Sequence, residues 1–496
     1  MGGVINIITK SGPLEPETKI ASSFGSDAAM KGEVSTGGTI GNLSYRFGAT
    51  YLEGDGWRDH SDHDKKNFFA KISVAPDEQS DLTFNLFYSD LFYELAGGLT
   101  EAEYEADPRQ SVRPYDSIDI QAFRLSSTYQ RNIDKYNEAK VSVWAFRKKY
   151  DDYMDFWGVK EYISDISTLG VEVQHNLKYN FLGKPNSLLL GVNLKGDEID
   201  YQKFKAPKGI RGDIKDNNNT KGVSYALFIQ DEFTVFDPLT ITLGARYDKI
   251  EYDYTDYLDG TKSGDKSFDR VTPKFGIVYR ISDVLSVFGN VGQAFKAPTC
   301  SHLFASSYAN PELNPELATN YEIGLNARLL ERLSFKISGY WMDVEDEIIT
   351  IYLGGGKYEY ENAGETRRKG VESELDLEIL KGLTAFVSLN YQEAEFTDYT
   401  DKKGTYDGNK VPHAPDWRIS SGIRYHHPVG LTYNLGMNWV DDQYSDKNNT
   451  YEIPSYTVWN TRLDFERDWW SLYFLVNNLF DEEYYENRTS SGKIYP

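Results

Sequence analysis

The sequence predicts an all-β chain: a transmembrane antiparallel β-barrel of the 22-stranded type, with about 21 strands present. Three observations carry that prediction. Apolar side chains alternate with a period of two, short turns are segregated from long loops, and aromatics exceed what the hydrophobic content would support. The 496 residues hold 9 Trp, 37 Tyr and 26 Phe, 15% of the chain, yet hydrophobic residues make up only 40%. Mean hydropathy is −0.56. Aromatics without a matching aliphatic core belong at an interface, and a membrane barrel carries them at both rims.

Along the chain, alternating segments centre near residues 22, 34, 47, 71, 85, 124, 143, 174, 191, 228, 243, 275, 289, 323, 337, 373, 387, 421, 436, 462 and 474. In 239–248 the apolar set is Leu239, Ile241, Leu243, Ala245 and Tyr247, with Thr240, Thr242, Gly244, Arg246 and Asp248 between them. Leu169, Val171, Val173, Leu177 and Tyr179 repeat the pattern, interrupted only by His175, and so do Tyr321, Ile323, Leu325, Ala327 and Leu329. A period of two puts each set on one face of a strand. In a sandwich that face meets a core; in a membrane barrel it meets lipid, and Arg246, Glu172, Glu322, Arg328, Glu372 and Glu374 line a wet lumen. Loop length separates the two. Connections such as Phe236–Leu239, Ile281–Val284, Leu380–Gly382 and Glu466–Asp468 are very short. They alternate with long polar stretches near 90–117, 197–222, 250–268, 295–316, 393–416 and 441–455. A meander with short turns at one rim and long loops at the other is expected of an outer-membrane barrel, and a sandwich has no reason to segregate them.

The remaining composition excludes other classes. Lys plus Arg number 53 against 76 Asp plus Glu, a formal charge of −23, so no basic face is available to displace counterions from nucleic acid. Cys300 is the single cysteine, which rules out an intramolecular disulfide and a multi-cysteine metal site. No run of about 18 apolar residues offers a transmembrane helix. No phosphate loop, zincin helix or nucleophile–base pairing is present, so no catalytic residue and no enzyme activity is expected.

Several motifs then add to the architecture. Gly2-Gly3-Val4-Ile5-Asn6-Ile7-Ile8-Thr9-Lys10 opens the chain. Phe295-Lys296-Ala297-Pro298 is followed by Asn310-Pro311-Glu312-Leu313-Asn314-Pro315-Glu316 and by Asn320-Tyr321-Glu322-Ile323-Gly324. Asn362-Ala363-Gly364, Lys369-Gly370-Val371-Glu372, Val411-Pro412-His413-Ala414-Pro415 and Val476-Asn477-Asn478-Leu479-Phe480-Asp481 come after them. In order and spacing these resemble TonB-dependent outer-membrane receptors, and the resemblance covers essentially the whole chain. It implies that residues 1–13 are the last strand of a plug domain and its connection. It implies that 14–496 are the receptor barrel, truncated before the closing strand.

The resemblance further implies an active-transport receptor of the bacterial outer membrane, taking up a scarce substrate such as a ferric siderophore, otherwise haem or cobalamin. Energy would come from the TonB complex through the plug and TonB box of an intact parent. The expected partners are outer-membrane lipid and a small iron chelate, with a monomeric barrel. No resident cofactor is expected, a ferric chelate or haem being cargo. A passive channel or a surface adhesin is the alternative, which the plug-like start at Gly2–Lys10 disfavours.

Site residues are expected on the long-loop rim. His302, between the two proline motifs, resembles a loop histidine that can ligate haem iron, against the plainer reading of a solvated loop side chain. Tyr308, Tyr93, Trp157, Tyr352 and Tyr358 could stack on an aromatic chelate, or could belong to the interfacial girdle. His60 and His63, among Asp55, Asp59, Asp62 and Asp64, have the donor types for a divalent cation but not the order of a known loop, so no metal site is expected there. Trp469 and Trp470, at a short turn, read as an opposite-side aromatic belt.

Overall fold

The computed structural model describes residues 9–154, 160–207, 210–305, 309–330, 332–354, 357–362, 364–401 and 403–496. Twenty-one strands form one continuous antiparallel sheet, running from Glu17–Phe24 to Trp470–Val476, and each pairs with its neighbours in chain order. Every segment centre expected from alternation falls inside one of these strands. Among the described residues the first strand pairs only with Met30–Ile40 and the last only with Tyr456–Arg467. The segment beyond the last strand nevertheless reaches the loop that follows the fifth. Leu99 and Ile494 exchange backbone hydrogen bonds of 2.8 and 2.7 Å at the long-loop rim, and Lys493 Nζ donates to the Gly98 carbonyl at 3.3 Å.

The apolar sets face outward, as lipid requires: Leu243 is 55% and Ile323 71% exposed. Trp469, at the short-turn rim, is 87% exposed. The inner face carries the expected polar ladder. Arg246 pairs with Asp248 at 2.8 Å, and Asn193 Nδ2 donates to Glu172 at 3.1 Å.

Two features depart from the expectation. The loops expected near 197–222 and 250–268 are mostly strand: the ladder runs through Lys184–Lys205, Ile214–Phe236, Leu239–Asp256 and Gly264–Ser282. Strands of 22 and 23 residues are roughly 70 Å long, well beyond a bilayer core even when tilted. Above the lipid both faces meet water, so hydrophobic contrast disappears while backbone pairing continues.

The inner wall is also not uniformly polar. Phe69, Trp144, Phe228, Phe288, Tyr340 and Phe386 each lie beside a glycine that is the direct cross-strand partner: Gly48, Gly170, Gly191, Gly324, Gly370 and Gly422. A Cβ on Gly191 would sit 2.0 Å from the Phe228 ring, and one on Gly170 would sit 2.2 Å from Trp144. The glycines let the rings lie flat on the wall.

Hydrophobic burial is concentrated at the long-loop rim, since a membrane barrel has lipid rather than a core to receive its apolar face. One buried cluster is Phe396, Tyr399 and Tyr406; the other is Phe268, Leu303 and Leu313.

Candidate functional site: the long-loop mouth

The loops at this rim hold one another in sequence. Arg58 donates to the Gly97 and Gln110 carbonyls at 2.7 and 2.6 Å, tying loop 55–62 to loop 95–116. Arg109 in turn reaches Asp27 at 3.2 Å. Loop 95–116 carries a short helix, Glu101–Ala106, closed by a capping box on Thr100 and Glu103. Ser445 Oγ donates to the Thr489 carbonyl at 3.1 Å, which joins the segment 477–496 to loop 441–455. Lys447 then crosses to loop 399–416. Its ammonium lies 4.9 and 4.8 Å from the Tyr399 and Tyr406 ring centroids, bonds Tyr399 Oη at 2.7 Å and forms an ion pair with Asp401. Burial opposes ionisation of Asp401, but Lys447, the Lys403 amide and the Tyr406 hydroxyl outweigh it and hold its carboxyl below the ordinary value.

The proline-rich motif builds the next stretch of this collar. Lys296 pairs with the buried Glu316 at 3.1 Å, and Glu316 also accepts from the Ile348 amide at 3.1 Å. Pro298 is fully buried, Leu313 is in the second cluster and Ala297 packs against it. Asn310 donates to the Tyr360 carbonyl at 2.9 Å. Asn362 accepts from the Asn314 amide at 2.7 Å. Phe295 is half-buried, whereas Pro311 and Glu312 are exposed. The structure therefore uses Lys296, Pro298, Asn310 and Leu313 to fasten the loop.

His302 lies in the π-turn Ser301–Ala305, half-buried, its ring 4.4 Å from that of Tyr360. Burial, then the neighbouring Lys296 charge, lowers its proton affinity, so the imidazole is neutral at pH 7. Tyr352 and Tyr358 face each other in the hairpin Ile348–Gly354 and Lys357–Asn362, but their side chains lie outside the described residues. Trp157, Tyr308 and the segment Gly2, Gly3, Val4, Ile5, Asn6 and Ile7 also lie outside them. Thr9, just beyond that segment, accepts Lys71 Nζ at 2.9 Å. Thr39 donates to the Pro13 carbonyl at 2.8 Å, so 9–13 run along the inner wall.

His60 bridges loops instead of gathering donors for a cation: its ring is 2.9 Å from the Asp116 carbonyl and 3.1 Å from Glu94. Among the described residues no group of three or more His, Cys, Asp and Glu is arranged to hold a metal ion.

Below the collar the structure brings together residues that loop-based reasoning passed over. Register links His63, Tyr93, Ile118, Asp152, Tyr162, Lys203 and Asp216 into one cross-strand row. By alternation from the lipid-facing Phe68, Val143 and Leu169, this row is on the inner face. Tyr150, Ser164 and Tyr201 form the row beneath it. A cavity of about 390 Å³ opens here, lined by Lys148, Tyr150, Asp152, Met154, Tyr162 and Tyr201 among others. Extending the alternation of 141–153 and 160–173 past the lipid would have placed these side chains; of the expected site residues only Tyr93 belongs to the row.

Comparison with known proteins identifies the architecture. The metal-pseudopaline receptor of Pseudomonas aeruginosa is 21% identical over an alignment covering 100% of this chain and 75% of that protein. The solved structure of a ferric citrate transporter in its unliganded form superposes with a TM-score of 0.87 at 21% identity, covering 100% of this chain and 78% of that one. The siderophore receptor PiuA from Acinetobacter baumannii gives 0.85 at 15% identity, over 98% and 80%. The family model described as TonB dependent receptor-like, beta-barrel matches residues 35–479. With that match spanning most of the sheet and the mouth, the chain belongs to the TonB-dependent receptors, as an integral β-barrel of the bacterial outer membrane.

Proposed function

We propose that this barrel serves active uptake of a chelated metal ion, a ferric siderophore foremost, captured at the long-loop mouth and energised through TonB. The observation that carries the reading is alignment of the whole chain with a protein named as a metal-pseudopaline receptor. A ferric-pyoverdine receptor of Pseudomonas putida, aligned over 97% of this chain, supports the iron-chelate class. The fastened collar and the aromatic rows beneath it give a cargo a rigid, partly apolar vestibule, which lowers the ordering cost of binding. Haem is the second cargo to test, with His302 as its candidate ligand, since a neutral imidazole is the form that coordinates iron.

Uptake of radiolabelled iron tests the reading. The barrel, supplied with a family signal peptide, plug, TonB box and closing strand and expressed in a host lacking its own chelate receptors, is offered ferric hydroxamates, ferric catecholates, ferric carboxylates, haem and cobalamin. Uptake of one iron-chelate class that vanishes when TonB is deleted is the expected result. Passive leakage of small solutes with no chelate bound would replace the transporter with a channel.

A further inference from the structure

The cavity high on the inner wall holds a polar group that the fold leaves unsatisfied. Asp152 is 6% exposed. Its Oδ2 accepts the Tyr150 hydroxyl at 3.1 Å, while Oδ1 is buried with no hydrogen-bond partner among the described residues. Its cross-strand neighbours in the row are Ile118 and Tyr162, neither of which bonds that oxygen. A buried carboxylate oxygen without a donor is costly, and folded proteins keep few of them unless something else supplies the donor.

We infer that this cavity is a subsite for a cationic arm, a protonated amine or guanidine on an alkyl or aryl stem, with Asp152 Oδ1 accepting its N–H. The inference deepens the uptake reading and rests on it for taking the arm to be part of the cargo. Two observations favour a cation, and the volume limits its size. The orphan atom is an anionic acceptor. Tyr150, Tyr162 and Tyr201 wall the cavity, and ring faces attract cations as well as apolar stems. The volume of about 390 Å³ is at the small end for ligand pockets, the size of a substituent more than of a whole chelate. Three lysines of the same wall stand near the cavity, Lys160 as the cross-strand partner of Met154, Lys203 and Lys148, and none of them bonds Oδ1. Lys203, over the Tyr162 ring at 5.4 Å, is offset by Asp216 at 3.4 Å. Lys148 lines the lower end of the same cavity, over the Tyr150 ring at 5.3 Å, and does not bond Oδ1.

The test uses a probe independent of iron. The full chain, in detergent, is titrated with 4-fluorophenethylammonium and separately with 4-fluorophenethyl alcohol, its uncharged counterpart, and fluorine NMR line broadening reports binding. The ammonium is expected to bind roughly tenfold more tightly than the alcohol, with the preference lost in Asp152→Asn, which keeps shape and removes charge. Tyr201→Leu, away from the carboxylate, is expected to weaken both probes. Equal binding of the two probes, or a preference that survives Asp152→Asn, overturns the inference and leaves Oδ1 with water alone. The outcome is separable from the uptake reading. Chelate uptake indifferent to Asp152→Asn would leave the receptor and remove the subsite. An Asp152-dependent ammonium site without uptake would leave the subsite and remove its assignment to cargo.

Discussion

Lys447 shows how single residues hold the mouth. Its charge sits between two tyrosine rings and against a carboxylate whose side chain is fully enclosed, so removing it leaves Asp401 Oδ2 without its donor while Oδ1 keeps the Lys403 and Gly404 amides and the Tyr406 hydroxyl. Lys447→Met, which keeps the stem, is expected to loosen loops 399–416 and 441–455 by on the order of 2 kcal/mol. Hydrogen exchange should rise in those loops and stay unchanged in the membrane-spanning strands. The pH response follows from the low carboxyl pKa of Asp401. A group whose folded value is depressed stabilises above its unfolded value, about 3.9 for Asp, and that contribution is lost as pH falls through the folded value. Loop protection is therefore expected to be flat from neutrality to about pH 5 and to fall below about pH 4. His302 has the same sign. Its stabilising contribution is complete above the unfolded imidazole value, about 6.5, and declines as pH drops below that toward its lower folded value. Proton NMR of the C2–H resonance would show a midpoint below 6.5; a midpoint above it would contradict the buried placement.

At the scale of elements, strands of this barrel are fitted to one another by aromatic–glycine pairs on the inner wall. Gly191→Val would drive a side chain into the Phe228 ring and is expected to cost about 1–3 kcal/mol through overpacking. Phe228→Ala in the same chain should recover part of that loss, and a double-mutant cycle on unfolding in detergent measures the coupling. Independent, additive losses would mean the ring does not rest on the glycine. Gly12 is a second close approach. A Cβ there would be 2.3 Å from the Tyr45 carbonyl oxygen, so Gly12→Val is expected to lift 9–13 off the inner wall while leaving the sheet intact. Protease sensitivity confined to the first residues would report it. Strand identity was readable from alternation alone, because lipid on one face and water on the other write the period into the sequence. Strand length was not readable, since above the bilayer that contrast is absent, as in 197–205 and 214–222.

On the scale of the whole molecule, the mouth is a collar in which loops distant in sequence depend on each other. Ile494, 2% exposed, pairs with Leu99 and ties the segment beyond the last strand to the loop after the fifth. Ile494→Asp would bury a charge without a partner, and the segment 487–495 is expected to detach. Exchange in loop 95–116 should then rise strongly, with little change in the lower strands. If the collar is what presents the cargo, chelate affinity should fall while the assembled barrel remains heat-resistant on gels.

The sequence by itself determined the lipid-facing sets, the number of strands, the rim that bears the long loops and the family motifs. Each of these is local: it depends on a period of two, on loop length, or on a short run such as Asn310–Glu316. Only the tertiary structure decided what the motif residues do. Leu313 and Pro298 are buried in a loop cluster, and Asn310 and Lys296 fasten neighbouring segments. It also decided that Tyr93, Asp152, Tyr162 and Tyr201 meet across adjacent strands, and that an oxygen of Asp152 is left without a donor. Alternation puts each of them on the inner face, but pairing register makes them neighbours, Asp152 with Tyr162 across one hairpin, Tyr93 from an earlier strand and Tyr201 from a later one, and a one-residue change of register would turn them to the other face. No local pattern encodes that juxtaposition.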